Sequence, residues 1–347
     1  MDAVRKRIVF MFSGQGSHYY QMGKDLYESH PVFRSQMEQS DAIVRALLGR
    51  SVLDELYGHP ISMPFDNLVI SHPALIMVEH ALFKALVSEG IVPDCVWGSS
   101  AGEFAAGIAA GIWSLESALA TSVEQATRVV RSCPPGGMLA ILGPRSLYDN
   151  SQVIHDCTTL ASVNFDQHFV VSGSTASLAM VERFLGDCGI THQRLAVAFA
   201  FHSDGIDLAK NSFLAYCQKL PSFKVPKVRF ISGMTAAYLP EVPTSYFWEV
   251  VRQPIRFQET VASIEREQAS IFVDCGPAGT SANFIKYNLG SHSQSRYFSI
   301  LTVYHQSIQN LRILRELLAE SCPTADQSGQ PETLSAQPKM ARQQIEC

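Results

Sequence analysis

The stretch Gly98-Ser99-Ser100-Ala101-Gly102 fits the pattern in which flanking glycines let a chain turn sharply from strand into helix and push the middle serine into a cleft. The chemistry such a turn serves is attack of the Ser100 hydroxyl on an acyl carbon. A serine hydroxyl is a poor nucleophile until a neighbouring base takes its proton, so a histidine must lie near it in the folded chain. The chain has 11 histidines, and their order alone does not choose among them. His202 is singled out by its place in Phe199-Ala200-Phe201-His202-Ser203-Asp204-Gly205, where the chain leaves one compact segment and enters another. Both residues also have a purely structural use. Ser100 suits the N-cap of the helix that opens near Phe104, and a lone histidine after an apolar run suits a packed loop.

The elements that must position these residues can be read from periodicity. Arg7 to Phe12 is a short apolar run ending in Ser13-Gly14-Gln15-Gly16-Ser17, as a buried strand and a glycine-permitted turn require. Pro73 to Ser88 has apolar residues at helical spacing, with Gly90 placed for a C-terminal cap. Pro93 to Trp97 is a second short strand, and it runs directly into the Ser100 turn and a helix of small residues. Between about 136 and 198 the order becomes β-α-β-β-α-β: strands at Met138–Leu142, Leu160–Asn164, Phe169–Ser172 and Arg194–Val197, with helices near Arg145–His155 and over Thr175–Cys188. This is the split βαβ order of a small ferredoxin-like unit. Strands at Val228–Ile231 and Ser270–Val273 and a helix over Ile255–Glu267 follow. The expected architecture is α/β: a large domain formed by residues 1–133 and 199–318, an inserted ferredoxin-like subdomain at 134–198, and a disordered tail at 319–347, rich in Ser, Gln and Pro.

Composition narrows the function. With 347 residues, 46% hydrophobic and 17% charged, the chain has the makings of a substantial core. A formal charge of -5, with no Lys/Arg run of five or more, is not the clustered positive surface that nucleic acid selects, so none is expected as partner. The 8 cysteines are scattered without CxxC, as reduced thiols in a cytoplasmic protein would be. No uninterrupted apolar stretch reaches the length of a membrane span, and Ile8 to Phe12 is too short for a signal sequence and reads as a strand. There is no HExxH, no Walker pattern and no GxGxxG after a strand, so neither metal nor bound cofactor is expected.

Four motifs, Phe12-Ser13-Gly14-Gln15-Gly16-Ser17, Gly98-Ser99-Ser100-Ala101-Gly102-Glu103, Ala200-Phe201-His202-Ser203 and Val273-Asp274-Cys275-Gly276-Pro277, resemble in that order the markers of the malonyl-CoA:acyl-carrier-protein transacylases and the acyltransferase domains of polyketide synthases. The resemblance spans roughly residues 7 to 310 and points to the discrete, trans-acting members. It implies an α/β-hydrolase-like large domain, Ser100 as nucleophile and His202 as base and then acid. It further implies an oxyanion hole from the backbone amides of Gln15 and Ala101, and a main-chain carbonyl near Val250 orienting the histidine. Glu103 would support the helix start.

The departures bear on the substrate. Relatives that load malonyl or methylmalonyl groups carry an arginine on the helix after the nucleophile, which pairs with the extender carboxylate. The matching position here is Gln125, and a neutral amide cannot compensate a buried carboxylate. Arg128, three residues on, is the nearest substitute. Ser99 stands where the family has histidine and His72 where it has glutamine, both at acyl-pocket positions, while Phe201 is the residue expected in malonyl-type pockets.

The resemblance thus implies transfer of a non-carboxylated acyl group between a CoA or carrier-protein thioester and an acyl carrier protein. Three alternatives remain open: hydrolysis of acyl-carrier-protein thioesters, malonyl loading with Arg128 or another base, and a catalytically silent carrier-protein-binding subunit.

Overall fold

The computed structural model describes residues 5–321. Ten strands form two sheets: β1 (Arg7–Phe12), β2 (Cys95–Gly98), β7 (Arg229–Ser232), β8 (Ala237–Tyr238), β9 (Ser270–Asp274) and β10 (Arg296–Ser299) in one, and β3 (Gly136–Leu142), β4 (Thr159–Phe165), β5 (His168–Ser174) and β6 (His192–Arg194) in the other.

The large sheet has the order β10-β9-β1-β2-β7-β8, and every pairing is parallel except the β7–β8 hairpin. β1 is buried along its whole length, as a central parallel strand must be when helices cover both faces of its sheet. Its side chains alternate: Ile8, Phe10 and Phe12 enter the main core, while Val9 and Met11 join Trp97, Phe257 and Ile285 on the other side. Phe10 is fully buried, and truncating a core phenylalanine to alanine costs about 3–5 kcal/mol.

The main core is closed by two long helices, Leu68–Ser88 and Leu115–Ser132. The first begins five residues before the start expected at Pro73. Asn67 precedes it, and the burial of Leu68 and Ile70 outweighs the backbone hydrogen bond that Pro73 cannot donate. This helix is long and apolar enough to cross a membrane by composition, but it is a core helix, buried along most of its length.

The small sheet has the order β4-β5-β3-β6, all antiparallel, with helix Thr175–Asp187 and two short helices, Arg145–Asn150 and Gln152–Cys157, supplying its crossovers. That is the ferredoxin-like arrangement. Its last strand differs from the expected Arg194–Val197. Pairing with β3 covers His192 to Arg194, after which the Val197 amide bonds back to the Leu195 carbonyl and the chain turns away toward His202. At the C-terminus, the helix Ser307–Ser321 crosses residue 319, where the tail was expected to begin, because Leu311 and Leu314 are buried against the body. The rest of the expected tail lies outside the described residues.

Candidate active site

Four segments end at the carboxyl edge of the large sheet: β1 into Ser13–Gly16, β2 into Ser99–Ser100, β7 into Ser232–Gly233 and β9 into Asp274–Gly276. In open parallel sheets this edge is where ligands bind.

The turn after β2 shows why glycine is needed around Ser100. A Cβ on Gly98 would lie 2.3 Å from the Glu103 amide nitrogen, and one on Gly102 would lie 2.2 Å from the Phe12 carbonyl oxygen. Gly14 faces the same constraint from the other side, 2.6 Å from the Ser99 carbonyl oxygen. Ser100 itself sits at φ 55, in the left-handed region, held there by the Ser99 amide donating to Phe12 (2.8 Å) and the Glu103 amide donating to the Ser100 carbonyl (2.9 Å). Glu103 is buried and acts as a brace. It accepts from the Gly233 amide at 2.9 Å and from the Tyr246 hydroxyl, and its burial pushes its pKa up to about 8.

The structure brings His202 to Ser100. The Ser100 hydroxyl lies 2.8 Å from His202 Nε2, although 102 residues separate them in the chain. His202 is also left-handed, at φ 62. Its amide donates to the Val251 carbonyl at 2.9 Å, and its Nδ1 lies 2.6 Å from the Gln253 carbonyl oxygen. The orienting carbonyl is therefore that of Gln253, not of Val250. Val250 belongs to the helix Tyr246–Arg252, where its carbonyl is directed along the helix, whereas Gln253 is the first residue beyond the helix and its carbonyl is free to turn. No side-chain signal marks such a residue, because only its backbone is used.

A carbonyl oxygen can only accept, so Nδ1 carries the hydrogen and Nε2 presents its lone pair to the Ser100 O–H. Burial is the main cause that pushes the His202 pKa down to about 4, partly offset by the Gln253 hydrogen bond, while Arg252 lowers it further. The imidazole is neutral at pH 7, the state a general base requires. Among the described residues the backbone amides of Gln15 and Ala101 make no hydrogen bond, so both are available to an oxyanion.

The cleft above this pair has a volume of about 200 Å³. The large sheet's edge and the small sheet both line it: Gln15, His72, Ser99, Ser100, Ala101, Phe201 and His202 on one side, and Met138, Ala140, Asn164, His168, Val170 and Leu195 on the other. Among the described residues no arginine or lysine lines it. Asn164 lies 2.9 Å from His168 Nδ1 and accepts from Ser162, a polar group on the small sheet that the sequence reading did not single out. His72, Ser99 and Phe201 line the cleft. Gln125 does not. It is 1% exposed on the helix Leu115–Ser132, and its Nε2 donates to the Phe247 carbonyl at 2.7 Å. Arg128 also stays away, paired with Glu124 and lying 5.2 Å over the Tyr216 ring.

A serine hydroxyl bonded to a neutral, backbone-oriented imidazole, with two free amides beside it, is the working arrangement of covalent acyl transfer. A family model described as the acyl transferase domain matches residues 9–322. The chain is 40% identical over 307 residues to the polyketide biosynthesis acyltransferase homolog PksD of Bacillus subtilis (strain 168), covering 88% of this chain and 94% of that protein. It is also 40% identical to the polyketide biosynthesis acyltransferase homolog BaeD of Bacillus velezensis, over 89% and 96% of the two chains. Among solved structures, the acyltransferase domain from the second module of the salinomycin polyketide synthase matches with a TM-score of 0.78 at 25% identity, over 89% of this chain and 72% of that one. The MCAT from Streptococcus pneumoniae has the same fold, with a TM-score of 0.73 at 21% identity, over 90% and 100%. The chain belongs to the acyl transferase domain family.

Proposed function

We propose that this protein is an acyltransferase of polyketide biosynthesis that works through an acyl-Ser100 intermediate. It moves a non-carboxylated acyl group from a CoA or carrier-protein thioester to the phosphopantetheine thiol of an acyl carrier protein. The observation that carries the reading is the 2.8 Å contact between Ser100 Oγ and His202 Nε2, with Nδ1 held by the Gln253 carbonyl. The 40% identity to two homologues named for polyketide biosynthesis supports the pathway.

In this reaction His202 Nε2 takes the Ser100 proton as Oγ attacks the thioester carbon. The Gln15 and Ala101 amides hold the oxyanion, and collapse expels the donor thiol, which takes the proton back from Nε2. The acceptor thiol then gives its proton to Nε2 and attacks the ester, and Ser100 regains its hydrogen as the acyl group leaves. The uncharged lining of the cleft supports an uncharged acyl group, because a carboxylate buried there without a cation costs several kcal/mol. Gln125 and Arg128, neither of which lines the cleft, supply no such cation. The substrates place the enzyme in the cytoplasm. The chain is read as a discontinuous catalytic domain with the four-stranded sheet as an insertion.

Intact-protein mass spectrometry after incubation with acetyl-CoA, malonyl-CoA and acyl-carrier-protein thioesters tests this, with Ser100→Ala as control. Non-carboxylated adducts that need Ser100 and pass to holo carrier protein are expected. A malonyl adduct passed on efficiently would overturn the acyl assignment. Adducts lost only as free acid would make the enzyme a hydrolase, and no adduct with any donor would overturn the mechanism.

A further inference from the structure

His72 is 1% exposed and lines the cleft with Ser99, Ser100 and Phe201. Both of its ring nitrogens are buried without a hydrogen-bond partner among the described residues. The other imidazoles of the cleft, and the neighbouring His18, are engaged. His202 binds Ser100 and the Gln253 carbonyl, His18 spans the Gly16 amide (3.1 Å) and the Phe65 carbonyl (2.8 Å), and His168 meets Asn164. His72 touches Phe104 edge-on, with ring centroids 5.1 Å apart, a contact that any aromatic ring would make. A neutral imidazole has one N–H to give and one lone pair to fill, and leaving both unmet where the side chain is buried is costly. An apolar side chain would avoid that cost if the cleft received only alkyl chains.

Resting on the acyl-Ser100 reading above, we propose that His72 is a specificity-determining residue whose imidazole hydrogen-bonds an uncharged oxygen on the acyl chain. The group loaded on Ser100 is then a hydroxyacyl or oxoacyl chain rather than a plain alkyl or carboxylated one. A hydroxyl suits either tautomer, since it donates to the bare nitrogen or accepts from the N–H, and a keto oxygen accepts from the N–H. A carboxylate would need a cation, and His72 is not one: burial, and after it the neighbouring His18, push its pKa down to about 3. The carbon nearest the thioester that can carry such an oxygen without further activating the thioester is the third. The 3-hydroxybutyryl and butyryl thioesters therefore form the discriminating pair, alike except for the one hydroxyl.

The test is the rate of Ser100 acylation by butyryl, 3-hydroxybutyryl (each enantiomer), acetyl and malonyl thioesters, followed by intact mass. It is run on the full chain, on His72→Phe, which keeps a ring, and on His72→Gln, which restores a neutral donor and acceptor. The wild type should take one 3-hydroxybutyryl enantiomer faster than butyryl by about tenfold or more, since sites built to bond a hydroxyl reject analogues lacking it strongly. His72→Phe should erase that preference while keeping the wild-type circular dichroism spectrum, which shows that it is folded, and His72→Gln should recover part of it. Equal wild-type rates for the pair, a preference untouched in His72→Phe, or faster malonylation would overturn the proposal and leave acyl-Ser100 chemistry intact. A failure of every thioester to acylate Ser100 would instead overturn the reading on which it rests.

Discussion

The acid limb of the acylation reaction should lie far below that of an ordinary histidine. The perturbation is pH itself, and the group that responds is His202. It is 1% exposed, its protonated form would have to be buried beside Arg252, and the Gln253 hydrogen bond offsets burial only in part, leaving a pKa of about 4. At pH 5 a base of that pKa is about 90% neutral, whereas one at the solvent value of 6.5 would be about 3% neutral. The rate of acyl-Ser100 formation at limiting thioester concentration reports the free enzyme, and it should therefore fall by only about a tenth between pH 7 and pH 5. The assay is rapid quench with intact-mass readout. Circular dichroism at each pH, and a jump back to pH 7 after acid exposure, separate unfolding from titration. A half-maximum near pH 6.5 in folded enzyme would refute the reasoning, because it would mean that His202 meets solvent before substrate arrives.

Other outcomes follow from contacts described above. His202→Ala should slow acyl-Ser100 formation by about 10²–10⁴-fold when assayed at a temperature where circular dichroism shows it folded, so that the loss read is chemical. Gly102→Ala, whose new Cβ would meet the Phe12 backbone at 2.2 Å, should destabilise the protein by about 1–3 kcal/mol in urea unfolding and reduce acylation by displacing the Ser100 turn. Glu103 has a folded pKa of about 8, above its unfolded value, so its contribution is fully present below about pH 4.5 and is lost as pH rises through 8. Glu103→Gln removes that loss, and its stability relative to wild type should improve by a few kcal/mol between pH 4.5 and pH 8, read from paired urea melts.

The candidate site residues that advertise themselves by side-chain type are legible in the sequence. Ser100 announces itself because its glycines are demanded by backbone approach at Phe12 and Glu103, and strand β1 because it is apolar on both faces. The residues that act through their backbone were not legible in the same way. The orienting carbonyl shifted from Val250 to Gln253 because it is selected by where a helix stops. Gln125 was expected at the pocket wall, yet the Phe247 carbonyl captures its side chain, a partner 122 residues away that no local pattern exposes. The helix start at Leu68 was missed because proline is read as a local signal, while tertiary burial of Leu68 and Ile70 decides the outcome. The small sheet's polar group, Asn164 and His168, lies on strands whose alternation reveals a face but not what that face looks upon.

Ser100 and His202 share a left-handed backbone, a conformation that costs a side-chain-bearing residue about 1–2 kcal/mol. The two positions proposed to carry the chemistry are thus positions where the fold would be more comfortable with glycine. A mutational drift guided by stability alone would erode the dyad first, and Ser100→Gly would make a sturdier but inert protein. In any collection of variants selected for heat resistance, retention of both residues is accordingly a record of selection for activity rather than a by-product of folding.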